Sequence, residues 1–170
     1  MESGGERLTV KPSNEMRRKW AIDIGLATGI LLISVVAAQT QPTHENLLHV
    51  EITGLHSDKG KVLCALFSSA DGFPKNTDKA AARSESVIAR GHAACDFSVV
   101  SPSTYAVSAF HDENSNGKLD TNFIGIPREG VGSSNDAKGH LGPPKFNAAA
   151  FRFAGGRLDL EITIRYLEEK

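Results

Sequence analysis

The chain has 170 residues, 40% of them hydrophobic and 23% charged, with a formal net charge of −1 at pH 7. This length allows one folded domain with enough chain to bury a core without crosslinks. Nucleic-acid-binding proteins carry an excess of Lys and Arg in clusters, and this chain has nearly equal numbers of acidic and basic residues. No nucleic-acid partner is therefore expected.

The N-terminal segment predicts export. A basic cluster at Arg17, Arg18 and Lys19 precedes an uncharged run, residues 24–38, which ends in Val36-Ala37-Ala38. Small residues at its end predict cleavage after Ala38. The alternative is a retained membrane anchor, but this run is shorter than the roughly 20 residues that span a bilayer. No cysteine stands directly after it, where a lipid would be attached.

We therefore expect a signal peptide with a polar N-terminal extension at residues 1–38, a lead-in at 39–46 and one domain at 47–167. Cleavage removes five of the 19 Lys and Arg and four of the 20 Asp and Glu, which leaves a net charge of −2. The mature protein is expected in the periplasm or outside the cell, without a stable membrane anchor.

Short strands follow in chain order. Leu48, Val50 and Ile52 alternate with polar residues, which is typical of a half-buried strand. Two runs, 61–67 and 105–110, are apolar on both faces and indicate central strands. Strands are also predicted at 85–89, 93–99 and 149–153, and the clearest alternation of apolar and polar residues predicts the last strand at 157–166. Seven strands with short polar turns predict an all-β fold, a single antiparallel seven-stranded β-sandwich of immunoglobulin-like type.

Both cysteines lie on predicted strands. Cys64 shares a face with Val62 and Leu66, and Cys95 lies on an equally apolar strand face. In an oxidising compartment, two inward-facing cysteines on facing sheets can form a disulfide. The alternative is two separate buried thiols.

The stretch 111–147 shows no strand or helix pattern and is rich in Gly, Asn and Asp. Structureless segments of this length are uncommon in compact domains and are usually functional or disordered. Its prolines and its scattered apolar residues, among them Phe123 and Phe146, favour an ordered loop that packs on the domain.

The start of this stretch, which we call the polar loop (residues 112–120), has the spacing of a calcium loop of the EF-hand type. Its candidate ligands are Asp112, Asn114, Asn116, Lys118 through its backbone carbonyl, and Asp120. The glycine for the sharp turn is present, but position 12 is Phe123 instead of a bidentate Glu, so binding would be weak. The alternative is a metal-free loop in which the same side chains cap their own backbone as Asx turns.

Two other types of site compete with this interpretation. A metal-dependent enzyme could use His111, Asp112 and His140 as transition-metal ligands. A carbohydrate or surface-ligand binder could use Phe123 and Asn122, although the mature chain has no Trp for stacking. The remaining histidines are expected to be solvated: His44, His49, His56 and His92.

Several motifs resemble the exported bacterial family called domain of unknown function 2141, across roughly Leu47 to Tyr166. They are Gly54-Leu55, Gly60-Lys61-Val62, Ala65-Leu66-Phe67, Gly72-Phe73-Pro74, the run from His111 to Asn122, Gly125-Ile126-Pro127, Glu129-Gly130 and Gly142-Pro143-Pro144. The resemblance implies a secreted or periplasmic β-sandwich without an assigned activity. The family commonly has an aromatic residue where Ser133 stands here. The loop is also similar to collagen-adhesin B-type and transthyretin-like sandwiches, some of which bind calcium there.

These observations together predict a non-enzymatic binding or structural module. Its partner is unknown, and a cell-surface or extracellular ligand is the class we expect.

Overall fold

The computed structural model describes residues 46–98, 101–139 and 142–167. Within these ranges the protein is all-β, and its helical content is limited to single turns. The strands are β1 (Leu47–Thr53), β2 (Lys61–Phe67), β3 (Ala82–Val87), β4 (Ala93–Ser98), β5 (Ser103–Asp112), β6 (Val131–Ser133), β7 (Phe151–Phe153) and β8 (Arg157–Thr163). Two 3₁₀ turns lie at Thr77–Lys79 and Ser134–Asp136, and a one-turn helix, α1, covers Phe146–Ala149. The predicted signal peptide and all of the lead-in except Asn46 lie outside the described residues.

The strands form two sheets, which confirms the all-β, sandwich-like class. One sheet has the order β4-β1-β8, and the other has the order β3-β2-β5-β6, with β7 also paired to β5. The two strands predicted to be central, β2 and β5, each have neighbours on both sides. Their apolar residues on both faces therefore identified them correctly.

Two details of the predicted sandwich were wrong. The described chain has eight strands, because β6 lies inside the stretch that showed no pattern, and its three residues are too few to show a period. The sheets are also not purely antiparallel, since β1 and β8 run parallel, with Leu48 opposite Leu158. Short connections predict antiparallel neighbours, but β1 and β8 are distant in sequence and no short turn decides their direction. The seven-stranded antiparallel immunoglobulin-like arrangement is thus replaced by a mixed sheet and an eighth strand.

The core lies between the sheets and follows the period-two pattern. Leu48, Val50 and Ile52 of β1 are fully buried, and they face the inward side chains of β2, including Val62 and Leu66. Burial of such side chains is the main favourable term in folding, at about 25 cal/mol per Å² of apolar surface.

The disulfide between Cys64 and Cys95 is present, with the two Cα atoms 6.4 Å apart. It joins β2 of the five-stranded sheet to β4 of the three-stranded sheet, and both cysteines are buried. The prediction of a core disulfide is therefore confirmed, and the alternative of two free thiols is excluded.

Part of the outer face of the five-stranded sheet, around Phe67, is also covered. Phe67 is fully buried and makes an edge-to-face contact with Phe73, which in turn contacts Phe146 of α1 in the same way. These contacts explain why β2 is apolar on both faces. Phe146 packs on the domain as the sequence predicted, whereas Phe123, which was also expected to hold the stretch, is exposed.

Candidate functional site

The polar loop begins inside the protein, at the end of β5. Asp112 is fully buried, and its two carboxylate oxygens accept hydrogen bonds from the backbone N–H groups of Asn116 at 3.0 Å and Gly117 at 2.8 Å. Gly117 has a φ of +77°, a conformation that glycine adopts without steric cost. Asp112 thus closes the turn that it starts, as in an Asx-type turn.

The side chains of the predicted calcium ligands lie close together, but their hydrogen bonds are internal. The carboxamide oxygen of Asn114 accepts from Asn116 N at 3.0 Å, and that of Asn116 accepts from Lys118 N at 2.7 Å. These bonds orient both amide N–H₂ groups towards the Asp120 carboxylate, at 2.7 Å from Asn114 and 3.2 Å from Asn116. Donors, not oxygens, therefore face Asp120. This arrangement favours the self-capped alternative over a calcium cage.

Glu129 holds the two ends of the polar loop together, and sequence reasoning missed it. Its side chain accepts hydrogen bonds from Glu113 N at 3.1 Å and Asp120 N at 2.9 Å, and the residue is 5% exposed. Burial raises the pKa of this carboxyl above its usual value, and the two N–H donors partly oppose that effect. The partners of Glu129 are backbone groups, which carry no residue-type signal, so no sequence pattern could have identified the contact.

Beyond Asp120 the chain forms a small hairpin, whose end we call the apolar tip (residues 122–126). Asn122 and Ile126 are bonded through the backbone at 2.8 Å, and the Asn122 carboxamide oxygen accepts from the N–H groups of Ile124 and Ile126. Two large side chains nevertheless point into solvent, since Phe123 is 97% exposed and Ile124 is 64% exposed.

A second cluster lies at the start of the polar loop. His111 is fully buried, and its Nδ1 is 2.6 Å from the Tyr166 hydroxyl, while its Nε2 is 2.7 Å from the Lys59 carbonyl oxygen. His56 stacks on Tyr166 with ring centroids 3.7 Å apart, and its Nε2 lies 2.9 Å from a carboxylate oxygen of Glu113. Burial raises the pKa of Tyr166 above its usual value.

The predicted transition-metal set of His111, Asp112 and His140 is only partly described by the structure. Asp112 uses both carboxylate oxygens inside the polar loop, and His140 lies outside the described residues. His111 instead meets His56 and Glu113. His56 was expected to be solvated, and it is exposed, but one face of its ring is covered by Tyr166. The three segments meet only in the folded chain, so their spacing gave no signal.

A shallow groove crosses the outer face of the five-stranded sheet beside the polar loop. Its floor includes Leu63 and Phe110, and its sides include Pro74, Leu119 and Pro127. The loop therefore forms one wall of a surface concavity as well as carrying the exposed tip. Among the described residues, no helix is long and apolar enough to cross a membrane.

Two stacked sheets with a long, internally hydrogen-bonded loop define a small sandwich-like module with an elaborated surface loop. Over residues 50–161 the chain matches the family described as "Uncharacterized protein conserved in bacteria (DUF2141)". The match covers more than half of the chain, so the protein belongs to this family, as the resemblance predicted. No curated protein and no solved structure gives a significant match.

Proposed function

We propose that this protein is an exported, non-enzymatic binding module that presents the apolar tip to an apolar pocket on a partner protein. The observation that carries the proposal is the near-complete exposure of Phe123 beside exposed Ile124, on a backbone that is held by hydrogen bonds. Binding through an ordered loop loses little conformational entropy, because the loop backbone is held in one shape before the partner arrives.

The loop is ordered by its own bonds. Glu129 bridges the backbone of Glu113 and Asp120, and Arg128 N donates to the Asp120 carbonyl at 2.9 Å. The apolar tip follows directly and is closed by the bonds of Asn122. These contacts support a loop that is fixed by its Asx turns and by Glu129 rather than by bound calcium.

The chemistry of the apolar tip favours a protein over a sugar. A carbohydrate site combines an aromatic platform with polar groups that bind hydroxyls, but the Asn122 carboxamide oxygen is already used within the loop. Ile124 and Ile126 instead extend the apolar surface next to Phe123. An aromatic side chain with an aliphatic neighbour is typical of the anchors that fill pockets at protein interfaces.

The enzyme alternative receives less support from the same contacts. Both nitrogens of His111 and both oxygens of Asp112 are within hydrogen-bonding distance of groups of the protein itself. A general base must reach the proton that it removes from the substrate. His111 would have to give up the Tyr166 hydroxyl to accept a substrate proton, and Asp112 is fully buried.

Site-specific photo-crosslinking tests the proposal. A photoreactive amino acid is placed at position 123 of the chain expressed in bacterial cells, and a matched control carries it at position 87, where Val87 is 80% exposed on β3. We expect one discrete protein adduct from position 123 that is absent from position 87. Adding Ile124→Ser should reduce the adduct about tenfold or more, because interface anchors contribute about 2 kcal/mol each.

Three outcomes would overturn the proposal. Position 123 could give no adduct, it could give the same adducts as position 87, or it could label lipid or glycan alone. The unfolding midpoint of the Phe123→Ser variant serves as the folding control, and it should match the wild type, because substitutions at exposed positions usually change stability by less than about 0.5 kcal/mol.

A further inference from the structure

Three side chains with metal-binding atoms converge beside the polar loop. Ligand atoms of His56, His111 and Glu113 all lie within 4.8 Å of one another. His111 lies in the last two residues of β5, and Glu113 is the first residue of the turn that follows. His56 reaches them from the turn after β1. The cluster thus brings together the turn after β1 of the three-stranded sheet and the end of β5 of the five-stranded sheet.

The contacts of the buried His111 indicate which of its ring nitrogens carries the hydrogen and which carries the lone pair. His111 Nε2 lies 2.7 Å from the Lys59 carbonyl oxygen, which can only accept, so Nε2 carries the hydrogen of the neutral ring. Nδ1 therefore carries the lone pair, which accepts a hydrogen bond from the Tyr166 hydroxyl at 2.6 Å. Histidines that bind metals almost always donate their other N–H to a carboxylate, a carbonyl or water, which fixes the tautomer and the ring orientation.

Gly60 makes this arrangement possible. It has a φ of +70°, and a Cβ atom at this position would collide with the backbone of Asp112 and Glu113. The turn can therefore approach β5 closely enough for the preceding residue, Lys59, to bond His111.

The other two ligands can adjust. The side chains of His56 and Glu113 are 52% and 31% exposed, and their nearest atoms are 2.9 Å apart. Ligand atoms around one tetrahedral zinc ion lie roughly 3–3.5 Å from one another, given bond lengths of about 2.0–2.2 Å. If these two side chains rotate so that their ligand atoms move by about 1–1.5 Å, the three ligand atoms reach that spacing. His111 would remain in place.

We propose that His56, His111 and Glu113 form a binding site for one divalent transition-metal ion, and that zinc fits this ligand set best. Two imidazole nitrogens and one carboxylate suit zinc, and three protein ligands leave a further position for water. The ion binds the Nε2 lone pair of neutral His56, so the ring hydrogen then stands on Nδ1 and Glu113 binds the ion through its carboxylate. The Tyr166 hydroxyl, now 2.6 Å from His111 Nδ1, gives up that contact.

Titration of the untagged, disulfide-bonded protein with zinc and with cobalt tests the site. Isothermal titration calorimetry is expected to give one zinc ion per chain. Cobalt in the same site should show the visible absorption of a low-coordinate complex, which zinc then removes by displacement. His56→Ala and Glu113→Gln should each weaken zinc binding by at least about tenfold, since even the loss of an outer-shell partner costs 10–100-fold.

A matched control separates this site from ordinary surface pairs. His49 and Asp96 form a similar contact at 2.6 Å. Among the described residues, this pair belongs to no cluster of three metal-binding side chains. His49→Ala should leave zinc affinity unchanged. The proposal is wrong if zinc gives no stoichiometric binding, if His56→Ala and Glu113→Gln bind as tightly as the wild type, or if His49→Ala weakens binding equally. Unfolding midpoints of the three variants confirm that each one is folded.

Discussion

The carboxylate of Glu129 accepts a hydrogen bond from the backbone N–H of Asp120 at 2.9 Å, and its second oxygen accepts from Glu113. A single buried side chain therefore ties the last residue of the polar loop to its beginning. Hydrogen bonds to a charged acceptor are stronger than neutral ones. The positions of the polar loop and of the apolar tip that follows it both depend on this contact.

Replacing Glu129 should release the loop. We expect Glu129→Ala to lower the free energy of unfolding by about 2–3 kcal/mol, because two backbone donors lose a charged acceptor. Glu129→Gln should cost less, since it keeps one acceptor oxygen. Urea unfolding measures the total effect, and amide hydrogen exchange at Glu113 and Asp120 measures the local one.

The exposed Glu51 provides the control for this pair of variants. It contacts His92 at 3.5 Å on the surface, and exposed ion pairs contribute little. Glu51→Ala should change stability by less than about 0.5 kcal/mol. Unchanged exchange at Glu113 and Asp120 in Glu129→Ala would contradict the role given to Glu129.

The disulfide should provide a large part of the stability. Cys64 and Cys95 are 31 residues apart, and closing a loop of this length in the unfolded chain is worth about 3–4 kcal/mol. The double variant Cys64→Ala, Cys95→Ala should lose about that much in urea unfolding. A reductant should lower the midpoint of the wild type and leave that of the double variant unchanged. Equal wild-type midpoints with and without reductant would refute the prediction.

Periodic features of the domain could be predicted from the sequence. Leu48, Val50 and Ile52 alternate because one face of β1 is buried, and the inward register of Cys64 and Cys95 on their strands indicated the disulfide. Both signals are local, since each depends on residues within one strand.

The features that were missed depend on contacts between distant segments. The parallel pairing of β1 with β8 joins residues about 110 positions apart, such as Leu48 and Leu158. The cluster of His56, His111 and Tyr166 likewise combines three segments of the chain. His111 contacts the Lys59 carbonyl oxygen and the Tyr166 hydroxyl, and the positions of these residues follow no regular spacing in the sequence. No periodicity in the chain reports such meetings.

Two glycines with similar backbone angles should respond differently to alanine. Gly60 and Gly117 have φ values of +70° and +77°, but a Cβ atom at Gly60 would collide with the backbone of Asp112, whereas Gly117 has no atom within 4 Å of that position. Gly117→Ala should cost about 1 kcal/mol, from backbone strain alone. Gly60→Ala should cost at least about 3 kcal/mol, or prevent folding, because backbone atoms must also move.

Comparing the two variants by urea unfolding therefore separates conformational strain from close approach. Equal losses in both would show that the turn at Gly60 has room for a side chain. The proposed histidine cluster gives a second readout, since displacement of Lys59 should change the NMR signals of the His111 ring in Gly60→Ala and leave them unaltered in Gly117→Ala.

Calcium should leave the protein's melting temperature unchanged. The Asx-turn bonds of Asn114 and Asn116 direct their amide N–H₂ groups towards Asp120, and coordination through their oxygens would break those bonds. A site with a dissociation constant of about 1 mM would stabilise the fold by about 1.4 kcal/mol at about 10 mM calcium. That corresponds to roughly 5 °C for a domain of this size. We expect a shift below about 1 °C in metal-free buffer. A concentration-dependent rise that Asp120→Asn abolishes would instead establish calcium as the ligand of the polar loop.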